Sequence, residues 1–324
     1  MISAAPLLVA LVLGQPADPY VRTKADLCSP QTDQHCLWWP GKSTVTFRQN
    51  VRGNPATPDT GSGTAVFDAV TRSWQTWQGI MNNCGSLTIT EGPQTDDKSI
   101  GYDSSNPGAN QNIVIFRQQS CLAPGVVPPN HTCTLGTGDC GSVYDCWDHD
   151  HSAIALTTTT YDKCSGRIFD ADIELNGKLP NDTSSDGFKF TLVDSPPCPQ
   201  SRPDYNCVAA DIQNTATHEF GHSLGLDHTT YRIFDACDPG CPASQMLYTH
   251  ATMFGTAPAG DLCKRCVDSG ARQGVCDIYP KGKSAVDCVP TKSGGCSAAP
   301  AGPMIALALL GIRILAPRRA RRRR

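Results

Sequence analysis

The segment His218-Glu219-Phe220-Gly221-His222-Ser223-Leu224-Gly225-Leu226-Asp227-His228 restricts this chain more than any other feature. Histidines four residues apart lie one turn apart on one helix face, where both imidazoles reach the same point. Glu219 follows the first histidine and is directed toward that point without taking a ligand position. Gly225 ends the helix by adopting a left-handed conformation that other residues resist. The chain then doubles back and carries His228 to the same place. Three neutral imidazoles leave a fourth tetrahedral position for water, the open arrangement of a catalytic zinc site. A pair of histidines around a glutamate arises by chance on amphipathic helices; Gly225 and His228 in register make the pattern specific.

The flanking pattern alternates strands and helices, which predicts an α/β (α+β) fold. Residues 43–50 alternate, with Val45 and Phe47 on one side, as in a half-buried strand. Val66, Phe67, Val70, Trp74, Trp77 and Met81 recur at helical spacing over 64–81. Strands are expected at 86–91, 112–117, 154–161 and 167–175, the last two as a hairpin around Ser165-Gly166. Helices are expected at 210–224 and, more weakly, 264–277. Residues 119–150 form a Cys/Gly/Pro-rich loop too long for an idle connection.

The chain carries 17 cysteines, far more than a cytosolic enzyme of this size keeps, so an oxidising compartment and disulfides are expected. Close pairs such as Cys28/Cys36, Cys198/Cys207 and Cys237/Cys241 are at distances that close local loops, although connectivity is not readable from sequence. The single Cys-x-x-Cys, Cys263 to Cys266, has no second pair to complete a structural zinc site. Charge excludes another class. Seven of the arginines sit in the last dozen residues; the remainder holds 20 basic against 30 acidic residues, net −10. A body that acidic does not suit nucleic-acid binding.

Both ends read as addresses. Residues 2–13 are apolar and uncharged and are followed by Gly14 and Ala17, which resembles a signal peptide over 1–17. The basic flank usual in such segments is missing. At the other end, Gly294-Gly295-Cys296 precedes an apolar run over 302–316, interrupted by Arg313 and followed by an arginine cluster. The run falls short of the ~20 residues that cross a bilayer comfortably. This order resembles the C-terminal sorting tags of myxobacterial surface proteins. The division expected is therefore a signal peptide, a catalytic domain over 18–290 and a sorting or anchor segment over 291–324. The protein is expected outside the cell or on its surface, touching membrane only through the last segment before processing.

The segment from His218 to His228 resembles the zinc-binding signature of the metzincin metallopeptidases, and the preceding Asp211-Ile212-Gln213-Asn214-Thr215-Ala216-Thr217 resembles their matrixin-like branch. The resemblance covers residues 150–280 well and the amino-terminal part loosely. It implies a twisted mixed sheet, an active-site helix and a small C-terminal subdomain with a methionine turn beneath the metal. Met253 in Ala251-Thr252-Met253-Phe254 matches the matrixin-like form of that turn; Met246 in Ser244-Gln245-Met246-Leu247-Tyr248 is the alternative. The resemblance implies a zinc endopeptidase with His218, His222 and His228 as ligands, Glu219 as general base, and protein or peptide substrates. No cysteine-switch propeptide of the matrix metallopeptidase kind is present. Asp170-Ala171-Asp172-Ile173-Glu174-Leu175-Asn176 offers alternating acids for a structural calcium, against an ordinary strand face. Asp148-His149-Asp150-His151 offers a second metal cluster. Two rival classes remain: a binding protein on an inactivated protease scaffold, and a zinc hydrolase acting on a non-protein amide.

Overall fold

The computed structural model describes residues 20–30, 33–55, 57, 64–178, 187–192, 210–229, 251–288, 305–310 and 313–314. In chain order the elements are β1 (Val21–Arg22), β2 (Thr44–Gln49), α1 (Ala65–Cys84), β3 (Thr88–Glu91), β4 (Asn112–Arg117), α2 (Asp139–Tyr144), β5 (Ala155–Asp162) and β6 (Ile168–Asn176). They continue with β7 (Phe190–Thr191), β8 (Ala210–Asp211), α3 (Ile212–Ser223), β9 (Leu226–Asp227), β10 (Thr256–Ala257), α4 (Ser269–Ile278), β11 (Ile305–Leu310) and β12 (Arg313–Ile314).

The main sheet has the order β11-β5-β6-β4-β2-β3. Strands β3, β2, β4 and β6 pair in parallel, while β5 turns back antiparallel on β6 and β11 adds antiparallel to β5. This is the mixed α/β class, with a mixed sheet, that the sequence predicts. The β5–β6 hairpin turns at Gly166, which has a φ of +71°.

Period-two alternation sorts the two faces of the sheet. Ala171, Ile173 and Leu175 of β6 join the main core, while Asp170, Asp172 and Glu174 point to the other face. On the core face, α1 buries Val66, Ala69, Val70, Ser73, Trp77 and Met81, the stripe that three- and four-residue spacing creates. Helix α3 lies against α1 and the sheet. Phe220 meets Phe47 edge to face, with centroids 4.9 Å apart, a contact worth about 0.5–1.5 kcal/mol beyond its burial. Trp77 Nε1 donates to Thr217 O at 2.9 Å, and Trp39 Nε1 donates to Ser223 O at 2.7 Å. Both indoles therefore fix the rotation of α3 through its own backbone.

The acidic face lies under the loop over 119–150, which contains the short helix α2 that its glycine-rich sequence conceals. Two bridges, Cys121–Cys146 and Cys133–Cys140, staple this loop. Three others tie distant parts of the domain: Cys28–Cys164, Cys36–Cys288 and Cys84–Cys276. The local pairing of Cys28 with Cys36 is thus incorrect. The amino-terminal segment runs antiparallel to β9 through β1 and is drawn across the domain, which sends the two cysteines to different partners. Cys198, Cys207, Cys237 and Cys241 lie outside the described residues.

The bridges suit an extracellular environment. Among the described residues no helix is long and apolar enough to cross a membrane. Within the segment read as a sorting tag, residues 305–310 and 313–314 are strands.

Candidate metal centre

Helix α3 begins at Asp211, whose side chain accepts from Asn214 N at 2.7 Å as an N-cap. The same carboxylate takes a bidentate pair from Arg265, at 2.8 and 2.7 Å. A single residue thereby starts the helix and ties it to the C-terminal part of the domain. The other end stops at Gly225, with a φ of +91° and Leu37 O only 2.5 Å from where a Cβ would stand. Left-handed backbone and close approach both demand glycine there.

The reversal brings the three histidines together. Their Nε2 atoms stand 3.1 Å (His218 to His222), 3.2 Å (His218 to His228) and 3.1 Å (His222 to His228) apart. His218 Nδ1 donates to Thr252 O at 2.6 Å, and His222 Nδ1 donates to Leu226 O at 2.8 Å. A carbonyl only accepts, so the proton of each of these rings is on Nδ1 and both Nε2 lone pairs face the cluster. Facing lone pairs repel unless an electrophile lies among them. Nitrogens about 2.0–2.1 Å from a common tetrahedral centre stand about 3.3–3.4 Å apart, close to the observed triangle. Burial, and then neighbouring positive charge, pushes His218 and His222 well below the usual histidine range, so both stay neutral and able to ligate.

Glu219 is buried in the same helix turn. Thr157 Oγ1, on β5, donates to Glu219 Oε2 at 2.7 Å and lies 3.1 Å from Glu219 O. The carboxylate is therefore aimed by the strand at the edge of the site. Met253 is buried directly under α3: its Sδ would lie 2.2 Å from a Cβ placed on Gly221. The turn over 251–254 that carries Met253 closes through Phe254 N to Ala251 O at 2.9 Å. Met246 and Tyr248 lie outside the described residues.

Two residues that sequence reasoning passed over hold this floor in place. Asp268 accepts from Thr252 N at 2.6 Å, so the residue whose carbonyl accepts from His218 is also held at its N–H. Asp268 also caps α4, accepting from Ala271 N at 3.0 Å, and its place before Ser269-Gly270-Ala271 was the readable signal. Lys264 Nζ donates to Thr256 O at 2.9 Å and to Phe254 O.

The other candidate metal groups have bonding partners within the protein. His149 Nε2 bonds Glu174 Oε2 at 2.9 Å, and Arg117 Nε donates to Glu174 Oε1 at 2.7 Å. Asp148 is taken by Gly136 N and Cys140 N, and Asp150 by Ser152. Asp148, His149 and Asp150 thus anchor loops, and residues 148–151 are not among the groups with metal-binding spacing in the described residues. Asp172 accepts from Gly101 N and Ile113 N. Burial, foremost, and then adjacent Asp170 raise it well above the carboxylate range; burial lifts Asp170 to about 6. Among the described residues, three side-chain groups have metal-binding spacing. Two of these include the bridged cysteines Cys133/Cys140 and Cys36/Cys288, whose sulfurs are already spent. The histidine trio remains.

No family model matches this chain, and neither does any curated protein.

Proposed function

We propose that this protein is a zinc-dependent endopeptidase of the metzincin type, acting on proteins or peptides outside the cell. The observation that carries the reading is the convergence of three Nε2 atoms within 3.1–3.2 Å, beside a carboxylate aimed by Thr157. His218, His222 and His228 would hold the ion. When bound, zinc supplies a water acidified towards pKa ~7 and a Lewis acid for the scissile carbonyl.

The chain's own residues do the rest. Glu219 accepts the proton of the attacking water and returns it to the departing amine. Thr157 keeps the receiving oxygen in position. Thr252 and Leu226 hold the ligand rings through their carbonyls, which fixes the tautomer and aims the lone pairs. Met253 fills the space beneath the helix turn between the first two ligands, as the turn methionine of the family would. A structural calcium has weaker support, since Glu174 and Asp172 already have protein partners.

Zymography of the purified protein on casein and gelatin, with chelator and with zinc restored, tests the reading. Clearing that a chelator abolishes and zinc restores supports it. Metal binding without cleavage of either protein favours a binding role or a non-protein amide instead.

A further inference from the structure

The three ligand rings are carried by different pieces of backbone. His218 and His222 ride on α3, so helical geometry sets their spacing. His228 arrives on the chain that reverses at Gly225, and its ring lies against the backbone of Gly255. A Cβ built on Gly255 would stand 2.8 Å from His228 Nδ1 and 3.0 Å from both Cε1 and Cγ. Gly255 is not among the glycines with positive φ. The ring, and not the backbone conformation, therefore requires a residue without a side chain at this position. Thr229 N donates to Met253 O at 2.9 Å, which ties the chain just after His228 to the same stretch.

Lys264 grips that stretch. Its Nζ donates to Phe254 O and, at 2.9 Å, to Thr256 O, the carbonyls on either side of Gly255. Its backbone N–H donates to Asn214 Oδ1 at 2.7 Å, in the first turn of α3. One residue thus joins the helix that carries two ligands to the backbone on which the third ring rests. Lys264 is fully buried, and burying an ammonium is costly unless it is paired and hydrogen-bonded. A methionine would fill similar space without that cost. The ammonium therefore serves the two carbonyls. It does not serve a metal ion directly, because its charge reaches the trio and opposes a second positive charge there, as it opposes protonation of His218.

We propose that Lys264 is the positioning residue of His228: by holding residues 254–256 against the ring, it sets the angle at which the third nitrogen meets the other two. The inference rests on the reading of the trio as a metal centre and does not depend on which bond the protein cleaves. Losing an outer partner of a metal ligand typically costs about 10- to 100-fold in affinity.

The test titrates the zinc-free full chain with zinc against a chromophoric chelator. Lys264→Met should weaken zinc binding about 10- to 100-fold. Loss of a like charge alone would tighten it, so the direction separates geometry from electrostatics. In a His228→Ala background the same substitution should no longer weaken binding, because both residues act on one path; a general loosening of the fold would weaken it equally in both backgrounds. With saturating cobalt in place of zinc, the visible bands of Lys264→Met should shift, which a change in stability alone does not produce. Gly255→Ala keeps the lysine and presses a methyl into the ring. It should repeat the loss and the shift, and it carries the test if Lys264→Met does not fold. Affinity at or above the parent's in either variant, unshifted bands, or equal losses with and without His228 overturns the inference. Casein left uncut by the zinc-loaded parent removes the endopeptidase and leaves this positioning role standing; a parent that takes up no zinc removes both.

Discussion

The bond from Thr157 to Glu219 offers a clean perturbation, because Thr157→Val removes a hydroxyl and keeps the shape of a strand residue. Thr157 is fully buried and its Oγ1 lies 2.7 Å from Glu219 Oε2. Hydrogen bonds to charged groups are worth about 1.5–3 kcal/mol, and water cannot replace the donor in a closed site. If that energy serves to aim the carboxylate in the transition state, kcat/KM falls by about 10- to 150-fold. Zinc content should be unchanged, since Thr157 touches no ligand ring. Thr157→Ser restores a donor and should recover most of the loss. Peptide turnover, zinc stoichiometry and a melting curve on the three proteins separate the possibilities. A Thr157→Val enzyme within twofold of the parent, with zinc and stability intact, would refute the positioning role.

Four further outcomes are expected. Glu219→Gln should retain zinc by metal analysis yet lose at least the roughly 10²-fold that general-base catalysis supplies; near-normal turnover removes Glu219 from the mechanism. His228→Ala should lower zinc affinity by more than the roughly 10- to 100-fold typical of losing an outer partner; unchanged stoichiometry after dialysis would place the third ligand elsewhere. Gly225→Ala should destabilise the domain by at least about 1–2 kcal/mol, because the φ of +91° is joined by a close approach to Leu37 O; a denaturation midpoint equal to the parent contradicts this. Burial lowers the Lys264 amine from 10.5 to about 8, opposed by Asp261, Glu219 and Asp268. The folded state then binds fewer protons than the unfolded chain between pH 8 and 10.5, so stability gains about 3 kcal/mol as pH rises through that window. Lys264→Met should lack this gain when denaturation is compared at pH 7.5 and 10; an identical slope in both proteins speaks against the shift.

The histidine trio was legible because its spacing is local. Helical geometry alone brings His218 and His222 together, and the sign of φ at Gly225 is written in the residue type. The strands were legible from alternation, and 112–117 falls on β4 without adjustment. What escaped depends on contacts distant in sequence. Thr157 reaches Glu219 across 62 residues, and nothing in Leu156-Thr157-Thr158-Thr159-Thr160 marks one threonine above the others. The bridges of Cys28, Cys36 and Cys84 are decided by topology, so the nearest cysteine was a poor guide. Helix α2 is bounded by left-handed residues, Gly138 and Asp145, in a stretch whose composition reads as loop. The apolar stretch near the end was ambiguous for another reason: periodicity cannot distinguish a short membrane-directed run from a strand added to a sheet.

The Cys36–Cys288 bridge has a consequence for timing. It joins positions 252 residues apart, and beside it Asp287 binds both the His35 ring and Cys36 N. A chain threaded amino end first into an oxidising space delivers Cys36 early and Cys288 only after the histidine trio has already passed. The clasp on the domain therefore cannot close until residues 218–228 have left the reducing side. A nascent chain stopped short of Cys288 would carry all three histidines and a Cys36 thiol with no native partner to meet.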